Sequence, residues 1–428
     1  MTELIIPSEA PAPNKLKERK LDHVARNAVF SLLSNVRHGR IAIIEDNQRH
    51  VSGDAAGAPP LQANITVHHP RFYSRLLLGG SIGAAEAYMD GLWSADDLTM
   101  VMRIMALNQP VFSAMDKGLA RLTTPLNKLY HFARKNTKMG SRRNILAHYD
   151  LGNNFYKLFL DKTMAYSCGI FEQEQSTLKE ASVAKHDRIC RKLELKPGDH
   201  IVEIGTGWGG FAVHAARNYG VHVTTTTISD EQYRYSRTRF QKAGLQDQIT
   251  LLKKDYRDLT GHYDKLVSIE MIEAVGHQYF DTFFKTCSRL LRDNGMMLLQ
   301  AITIQDQEFK RYTRSVDFIK RYIFPGGCVT SVAAITASVT RATDMRIFHL
   351  EDITPHYART LREWRRRFFA NIDKVRAMNF PDTFIRMWEY YLCYCEGGFT
   401  ERYIGDVQML LTKPRCRRES LLPELGEN

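Results

Sequence analysis

Val202-Glu203-Ile204-Gly205-Thr206-Gly207-Trp208-Gly209-Gly210 is the stretch on which the fold turns. An apolar run ends in glycines at 205, 207 and 210, the G-x-G-x-x-G spacing of a strand that turns directly into a helix. Glycine there admits positive φ and lets a bound group approach the backbone closely. Outward from this point, short apolar strands alternate with amphipathic helices, at 200–204, 209–218, 221–227, 230–243, 249–253, 265–269, 277–291 and 296–304. Such alternation builds βαβ units, and hence a parallel sheet covered by helices on both faces. Two late strands are expected at 345–350 and 406–411, with helices at about 330–342, 357–374 and 381–394. The sum is a mostly parallel sheet of seven strands.

Alone, the glycine pattern fits a dinucleotide, S-adenosylmethionine (SAM) or a bare tight turn. Two details separate them. A dinucleotide site asks for an acidic residue at the end of the second strand, about 20 residues on, for the ribose hydroxyls. Here Val221-His222-Val223-Thr224-Thr225-Thr226-Thr227 ends in threonines, and Glu203 stands two residues before Gly205. A carboxylate so close repels a pyrophosphate and suits an ammonium and a sulfonium. SAM is therefore favoured over NAD. Thr227-Ile228-Ser229-Asp230-Glu231-Gln232 reads as a capping box, with Ser229 and Gln232 opening the next helix, and also as an adenosine-binding turn. Lys254-Asp255-Tyr256-Arg257-Asp258-Leu259 follows the third strand, and loops at the carboxyl ends of parallel strands are where ligands bind. An Asp in such a loop also reads as a helix cap. No Cys/His spacing fits zinc, His68-His69 being only an adjacent pair, so no metal is expected.

The chain has 428 residues, with 59 Lys+Arg against 47 Asp+Glu and a net charge of +12. With 44% apolar and 25% charged residues it is globular rather than disordered or collagen-like. Its length predicts two or three domains. No run of ~18 apolar residues occurs, and the first 20 residues lack an apolar core, so neither a spanning helix nor a secretory signal is expected. Seven scattered cysteines point to reduced thiols rather than a disulfide framework. The positive excess fits nucleic acid, an anionic membrane or a solvated basic surface. Between 117 and 149 lie eight basic residues (Lys117, Arg121, Lys128, Arg134, Lys135, Lys138, Arg142 and Arg143) and no acid, interleaved with Leu119, Leu122, Leu126, Leu129, Tyr130 and Phe132. A basic, apolar-striped segment suits an anionic lipid surface, and equally nucleic acid or a solvated linker. Before it, 1–20 reads as a basic arm. Helices at 21–33, 72–89 and 98–107 with strands at 40–45 and 64–69 make a small mixed α+β domain without a catalytic motif.

Further motifs stand in order around the glycine loop. His148-Tyr149-Asp150-Leu151-Gly152-Asn153-Asn154-Phe155-Tyr156 and Met164-Ala165-Tyr166-Ser167-Cys168 precede it. Ile269-Glu270-Met271-Ile272-Glu273-Ala274-Val275-Gly276-His277, Phe324-Pro325-Gly326-Gly327, His356-Tyr357-Ala358-Arg359-Thr360-Leu361 and Tyr391-Leu392-Cys393-Tyr394-Cys395-Glu396-Gly397-Gly398-Phe399 follow it. Together they resemble the cyclopropane-fatty-acyl-phospholipid synthase family, which includes the mycolic acid cyclopropane synthases, over about 70–412. The resemblance implies a Rossmann-like SAM-dependent methyltransferase domain preceded by the smaller α+β domain. It implies transfer of the SAM methyl to a cis double bond in an acyl chain of a membrane phospholipid. The resulting carbocation closes a cyclopropane when the new methyl loses a proton, with bicarbonate as the implied base. By the same resemblance Tyr166, Ser167, Glu203, Gly205, Thr206, Gly207, Trp208, Gly209, Gly210, Thr227, Ile228, Ser229, Gln232, Asp255, Tyr256 and Arg257 surround SAM. Cys168, Glu273, Ile302 and Tyr357 hold bicarbonate, and Cys395 matches the family's active-site cysteine.

The chemistry agrees with these assignments. An alkene is a poor nucleophile, so the site must press it onto the methyl carbon and keep water away. The cation asks for π faces, which Tyr166, Tyr357, Phe324 or Phe399 can supply. No strong nucleophile is needed, so Cys395 reads as a wall residue, a small buried hydrophobe. Glu273 reads as functional, although a carboxylate in a first helical turn also gains from the helix dipole.

One residue departs from the pattern. The family commonly has Leu-Leu-His-Thr-Ile where this chain has Leu298-Leu299-Gln300-Ala301-Ile302. Gln300 can hydrogen-bond an anion but carries no positive charge, so bicarbonate is held less firmly or another base takes its place. Proton loss from another carbon would give a methyl-branched alkene, and a hydride shift before it a methylene branch. The expected organisation is a basic arm at 1–20, a lipid-associating domain at 21–130, a catalytic domain at 131–415 and a tail at 416–428. The expected setting is cytoplasmic, reversibly on the inner face of a membrane with anionic, unsaturated phospholipids; a homodimer would double the membrane contacts. Nucleic acid is the more distant substrate, since no Asn/Asp-Pro-Pro-Tyr/Phe tetrapeptide follows the fourth strand. A lipid binder with a decayed site is opposed by the intact loop, Glu203 and Glu273.

Overall fold

The computed structural model describes residues 19–54, 60–117 and 151–421. Most of the expected basic arm, the basic stretch from 118 onward, the His148-Tyr149-Asp150 motif and the end of the tail lie outside the described residues. The chain divides into two compact units, Met1–Leu126 with Asn379–Glu401, and Asn127–Met378 with Arg402–Asn428.

The first unit is built on four strands, β1 (Gly39–Glu45), β2 (Gln48–Asp54), β3 (Gln62–Val67) and β4 (Trp93–Ala95), in the order β2-β1-β3-β4. Apolar Ile41, Ala42 and Ile43 bury the central strand. The strand β2 is not expected from the sequence pattern, because it is polar and its one large apolar residue, Val51, is exposed. The hairpin is nevertheless encoded locally: Asp46 and Asn47 both take positive φ, 46° and 62°, as a two-residue turn requires. The helix Arg71–Met89 is not continuous but kinks at Gly80, whose φ of 58° leaves the helical region. Helix Asp382–Thr400 packs on Leu98–Leu107 and Arg71–Met89. This differs from the expected contiguous 131–415 domain. The reason is Gly397: a Cβ there would stand 2.7 Å from the Met102 Cβ and 3.0 Å from the Arg103 backbone nitrogen, so only glycine permits so close an approach.

The second unit holds a seven-stranded sheet. Its strands are β5 (His200–Ile204), β6 (His222–Thr226), β7 (Ile249–Leu252), β8 (Tyr263–Ile269), β9 (Leu291–Ile304), β10 (Arg346–Asp352) and β11 (Ile404–Thr412). The order is β10-β11-β9-β8-β5-β6-β7. The strands from β7 to β9 are parallel, while β11 runs antiparallel between β9 and β10. All seven expected strands are present within a few residues. The chain leaves β5 toward β6 and β7, then returns to lay β8 on the other side of β5. That reversal opens a crevice at the carboxyl ends of β5 and β8, the place where open α/β sheets bind ligands. Two apolar clusters flank the sheet, one around Phe283, Phe284 and Leu290, the other around Ile189, Phe211 and Phe240.

Replacing Gly397 with Ala is expected to cost the first unit about 1–3 kcal/mol through overpacking. A clear fall in the thermal midpoint followed by near-ultraviolet dichroism would register it; an unaltered midpoint would mean that the helix contact relaxes freely.

Candidate active site

The glycine loop leaves β5 and opens the helix Gly210–Tyr219. At Gly209 φ is 77°, and a Cβ would meet the Phe240 ring at 2.6 Å, so both conformation and packing demand glycine. Glu203 is buried at the end of β5. Its Oε2 accepts from Thr225 Oγ1 at 2.5 Å. With its one proton committed, Thr225 must in turn accept from Thr206 Oγ1, at 2.7 Å. Of the threonines that end β6, Thr225 thus orients the Glu203 carboxyl. Burial pushes Glu203 up to about 8.

The turn after β6 caps helix Asp230–Lys242 with Ser229, whose Oγ accepts from the Gln232 backbone N–H at 3.3 Å. Only this half of the expected capping box forms. The Gln232 side chain instead accepts from Thr227 Oγ1 at 2.9 Å, which closes the turn on itself and carries Ile228 in it. Asp255 caps the short turn Tyr256–Asp258 and pairs with Arg257 at 2.7 Å, while Tyr256 packs edge-on against Phe283.

An aromatic wall stands beside the loop. Tyr166 lies 5.1 Å from Trp364 and 5.4 Å from Tyr156, ring to ring; Trp208 packs on Tyr156 at 4.9 Å and donates from Nε1 to Asn153 at 2.6 Å. Phe324 and Tyr357 border the same cluster through Tyr166 and Trp364. Phe399 and Cys395 lie on helix Asp382–Thr400, in the first unit.

Behind Tyr166 the remaining predicted residues converge. Ser167 accepts from the buried Lys185 Nζ at 2.5 Å. The Cys168 backbone N–H donates to Glu270 Oε1 at 2.8 Å, Gln300 Nε2 donates to the same oxygen at 2.7 Å, and Tyr357 OH donates to Glu270 Oε2 at 2.6 Å. The Ile302 backbone N–H donates to Glu273 Oε1 at 2.6 Å, and the buried Glu273 Oε2 has no hydrogen-bond partner among the described residues. Burial and the neighbouring Glu270 push Glu273 up to about 8. Burial raises the Cys168 thiol well above its usual value, so it is no thiolate nucleophile.

Three participants escape sequence reasoning. Glu270 stands unassigned inside one of the motifs, Asp406 at the start of a strand, and Lys185 in a helix. Of these, Lys185 carries a readable signal. The buried stripe of Leu178–Lys192 runs Leu178, Ala181, Ser182, Lys185, Ile189, and a lysine in such a stripe must find a buried partner.

A sheet of this order, with an acidic-x-Gly-x-Gly loop at its switch point, defines a SAM-dependent methyltransferase. The family described as mycolic acid cyclopropane synthetase matches residues 136–409. Tuberculostearic acid methyltransferase UfaA1 of Mycobacterium tuberculosis H37Rv is 36% identical over 374 residues, 84% of this chain and 86% of that protein. The cyclopropane-fatty-acyl-phospholipid synthase of Escherichia coli K12 is 37% identical over 356 residues, 82% of this chain and 88% of that protein. The crystal structure of mycolic acid cyclopropane synthase CmaA1 complexed with SAH and CTAB superposes with a TM-score of 0.59 at 31% identity, over 64% of this chain and 98% of that one. The chain belongs to the mycolic acid cyclopropane synthetase family, and SAM is its methyl donor. The residues present fit that donor: the buried Glu203 carboxyl at the end of β5, oriented by the Thr225 hydroxyl, would suit its ammonium.

A carboxyl whose pKa is higher in the folded chain keeps a proton that the unfolded chain sheds. The stability Glu203 and Glu273 carry at acid pH is therefore lost as pH rises from 4.5 to about 8. The thermal midpoint of the ligand-free protein is expected to fall across that window, and Glu203→Gln, which cannot titrate, to make the fall shallower. An identical slope in the variant would place the titration elsewhere.

Proposed function

We propose that this enzyme transfers the SAM methyl to the cis double bond of an unsaturated acyl chain in a membrane phospholipid and closes a cyclopropane ring by proton loss. The reading is carried by one juxtaposition: an aromatic wall of Tyr166, Trp364, Phe324 and Tyr357 beside the glycine loop. When bound, SAM supplies an electrophilic methyl group. The chain's own part is to hold the donor's ammonium at Glu203, to exclude water with the aromatic wall and to spread the developing cation over its π faces. Residues Thr227–Gln232 and Asp255–Arg257 stand at the ends of β6 and β7, where they would hold the adenosine.

A second reading keeps the same alkene methylation and ends in a methyl- or methylene-branched chain. It is supported by the similarity to UfaA1, whose identity nearly equals that to the E. coli synthase. The choice depends on which carbon loses its proton. Among the described residues no helix is long and apolar enough to cross a membrane, and the +12 charge favours reversible docking on an anionic bilayer.

With methyl-labelled SAM and vesicles of unsaturated phosphatidylglycerol, label is expected in the acyl chains. Mass spectrometry should find one added methylene, with no double bond left for a ring and one retained for a branched alkene. Label in nucleic acid and none in lipid would overturn the assignment. Vesicle binding is expected to weaken as salt rises. Cys395→Ser should keep most of the activity, whereas Glu203→Gln should weaken binding of S-adenosylhomocysteine tenfold or more by titration calorimetry, an effect of about 1.4 kcal/mol.

A further inference from the structure

The hydrogen-bond donors among the residues that the family resemblance assigns to bicarbonate are already engaged by carboxylates of the chain itself. Glu270 follows the last residue of β8. Its Oε1 accepts from the Cys168 N–H and from Gln300 Nε2, and its Oε2 accepts from Tyr357 OH. The Ile302 N–H is taken by Glu273, itself one of the residues assigned to bicarbonate. A bicarbonate ion placed there would compete with Glu270 for the Cys168, Gln300 and Tyr357 donors and with Glu273 for the Ile302 N–H, and would face Glu270, Glu273 and Asp406 without a cation in the place of the family's histidine. The residues present do not fit bicarbonate.

The network is built to hold Glu270 where it is. Gln300 Oε1 accepts from Gln408 Nε2 at 3.1 Å, and Gln408 Oε1 accepts from Lys192 Nζ at 2.9 Å, itself paired with Glu351 at 2.5 Å. This chain of contacts fixes the Gln300 amide with its NH2 toward Glu270 and Asp406, 2.7 and 3.1 Å away. The change from histidine to Gln300 now has a reason. A free anion must be recruited by charge, while a tethered carboxylate needs only neutral donors to orient it. Glu270 also has a φ of 46°, a left-handed conformation costly for a residue with a side chain, and its N–H is tied to the Gln300 carbonyl at 2.8 Å. Backbone strain of that kind at a buried polar network marks a functional position. The residue keeps partial exposure, at the carboxyl end of the strand paired with the Glu203 strand.

We propose that Glu270 is the built-in base of this enzyme and replaces bicarbonate. The inference rests on the alkene-methylation reading. After methyl transfer, the Glu270 carboxylate takes a proton from the cationic acyl chain. The electrons of the broken C–H bond become the new C–C bond of a ring or the new double bond of a branched chain, and the carboxylic acid returns its proton to solvent. Burial raises both Glu270 and its neighbour Asp406, and the Glu270 and Glu273 carboxyls raise Asp406 further, whereas three hydrogen bonds and Lys185 favour the charged form of Glu270. Three donors face Glu270 and one faces Asp406, so of the two carboxyls Glu270 is the better held as an anion.

The test uses the full-length enzyme, unsaturated phosphatidylglycerol vesicles and carbon-dioxide-depleted buffer. Wild-type turnover is expected to be unchanged when bicarbonate is removed or restored. Glu270→Gln should lose roughly 100-fold or more in kcat, with binding of S-adenosylhomocysteine intact as proof of folding. Glu270→Gly, which suits the positive φ and opens the donors, should be inactive without bicarbonate and regain activity with it. In parallel, 13C-labelled bicarbonate followed by NMR should bind Glu270→Gly and not the wild type. Bicarbonate dependence of the wild type, bicarbonate binding to it, or full activity of Glu270→Gln would each overturn the proposal. Failure of the wild type to methylate the vesicles would count against the substrate reading, and the NMR experiment would still decide the base.

Discussion

The buried ammonium of Lys185 is what the rest of the site depends on. It donates to Ser167, and its field reaches Glu203, Glu270 and Asp406, all of which burial pushes toward the neutral form. Buried charges survive only when paired and hydrogen-bonded. Lys185 lets the carboxyls at the ends of β5 and β8 occupy neighbouring strands, so that two acids can share one crevice. Helix Leu178–Lys192 supplies that charge from outside the sheet, and Lys192 at its end steadies Gln408 and, through it, Gln300.

Around this electrostatic centre the polar partners are neutral. Hydroxyls of Thr206 and Thr225 run to Glu203, and the phenol of Tyr357 and the amide of Gln300 run to Glu270. Each such donor stabilises an anion without adding a charge that would compete for it. The aromatic side chains of Tyr156, Tyr166, Trp208 and Trp364 close one side with surface that water does not wet. That division between an oriented polar floor and an aromatic wall is what a carbocation reaction asks of a protein: something to take a proton, and nothing nucleophilic to take the cation.

Much of the fold is legible in the amino-acid sequence. The first strand, the glycine loop and the seven-strand alternation follow from local periodicity, and local periodicity is what a sequence displays directly. The edge strand β2 is hidden because edge strands need no buried face, and the Asp46-Asn47 turn is the only mark it leaves. The unit to which helix Asp382–Thr400 belongs is equally hidden, since a helix's apolar stripe does not name its partner and the deciding contact is a single missing Cβ at Gly397.

In the site, residue identities at the loop are readable because glycine and acid at fixed spacing act through their own backbone. Sequence alone determined the SAM-type loop, Glu203 and the departure at Gln300, each a matter of one residue type at one position. Only the tertiary structure decided what Gln300 is for. Its donors and those of Cys168 and Tyr357 come from segments up to 189 residues apart, from Cys168 to Tyr357. Sheet order sets Gln300 on β9 beside Glu270 at the end of β8, and helix Thr354–Ala370 and the loop at Cys168 bring the other two donors to it. Charge compensation of this kind is a property of distances across the fold, and no pattern along the chain records it.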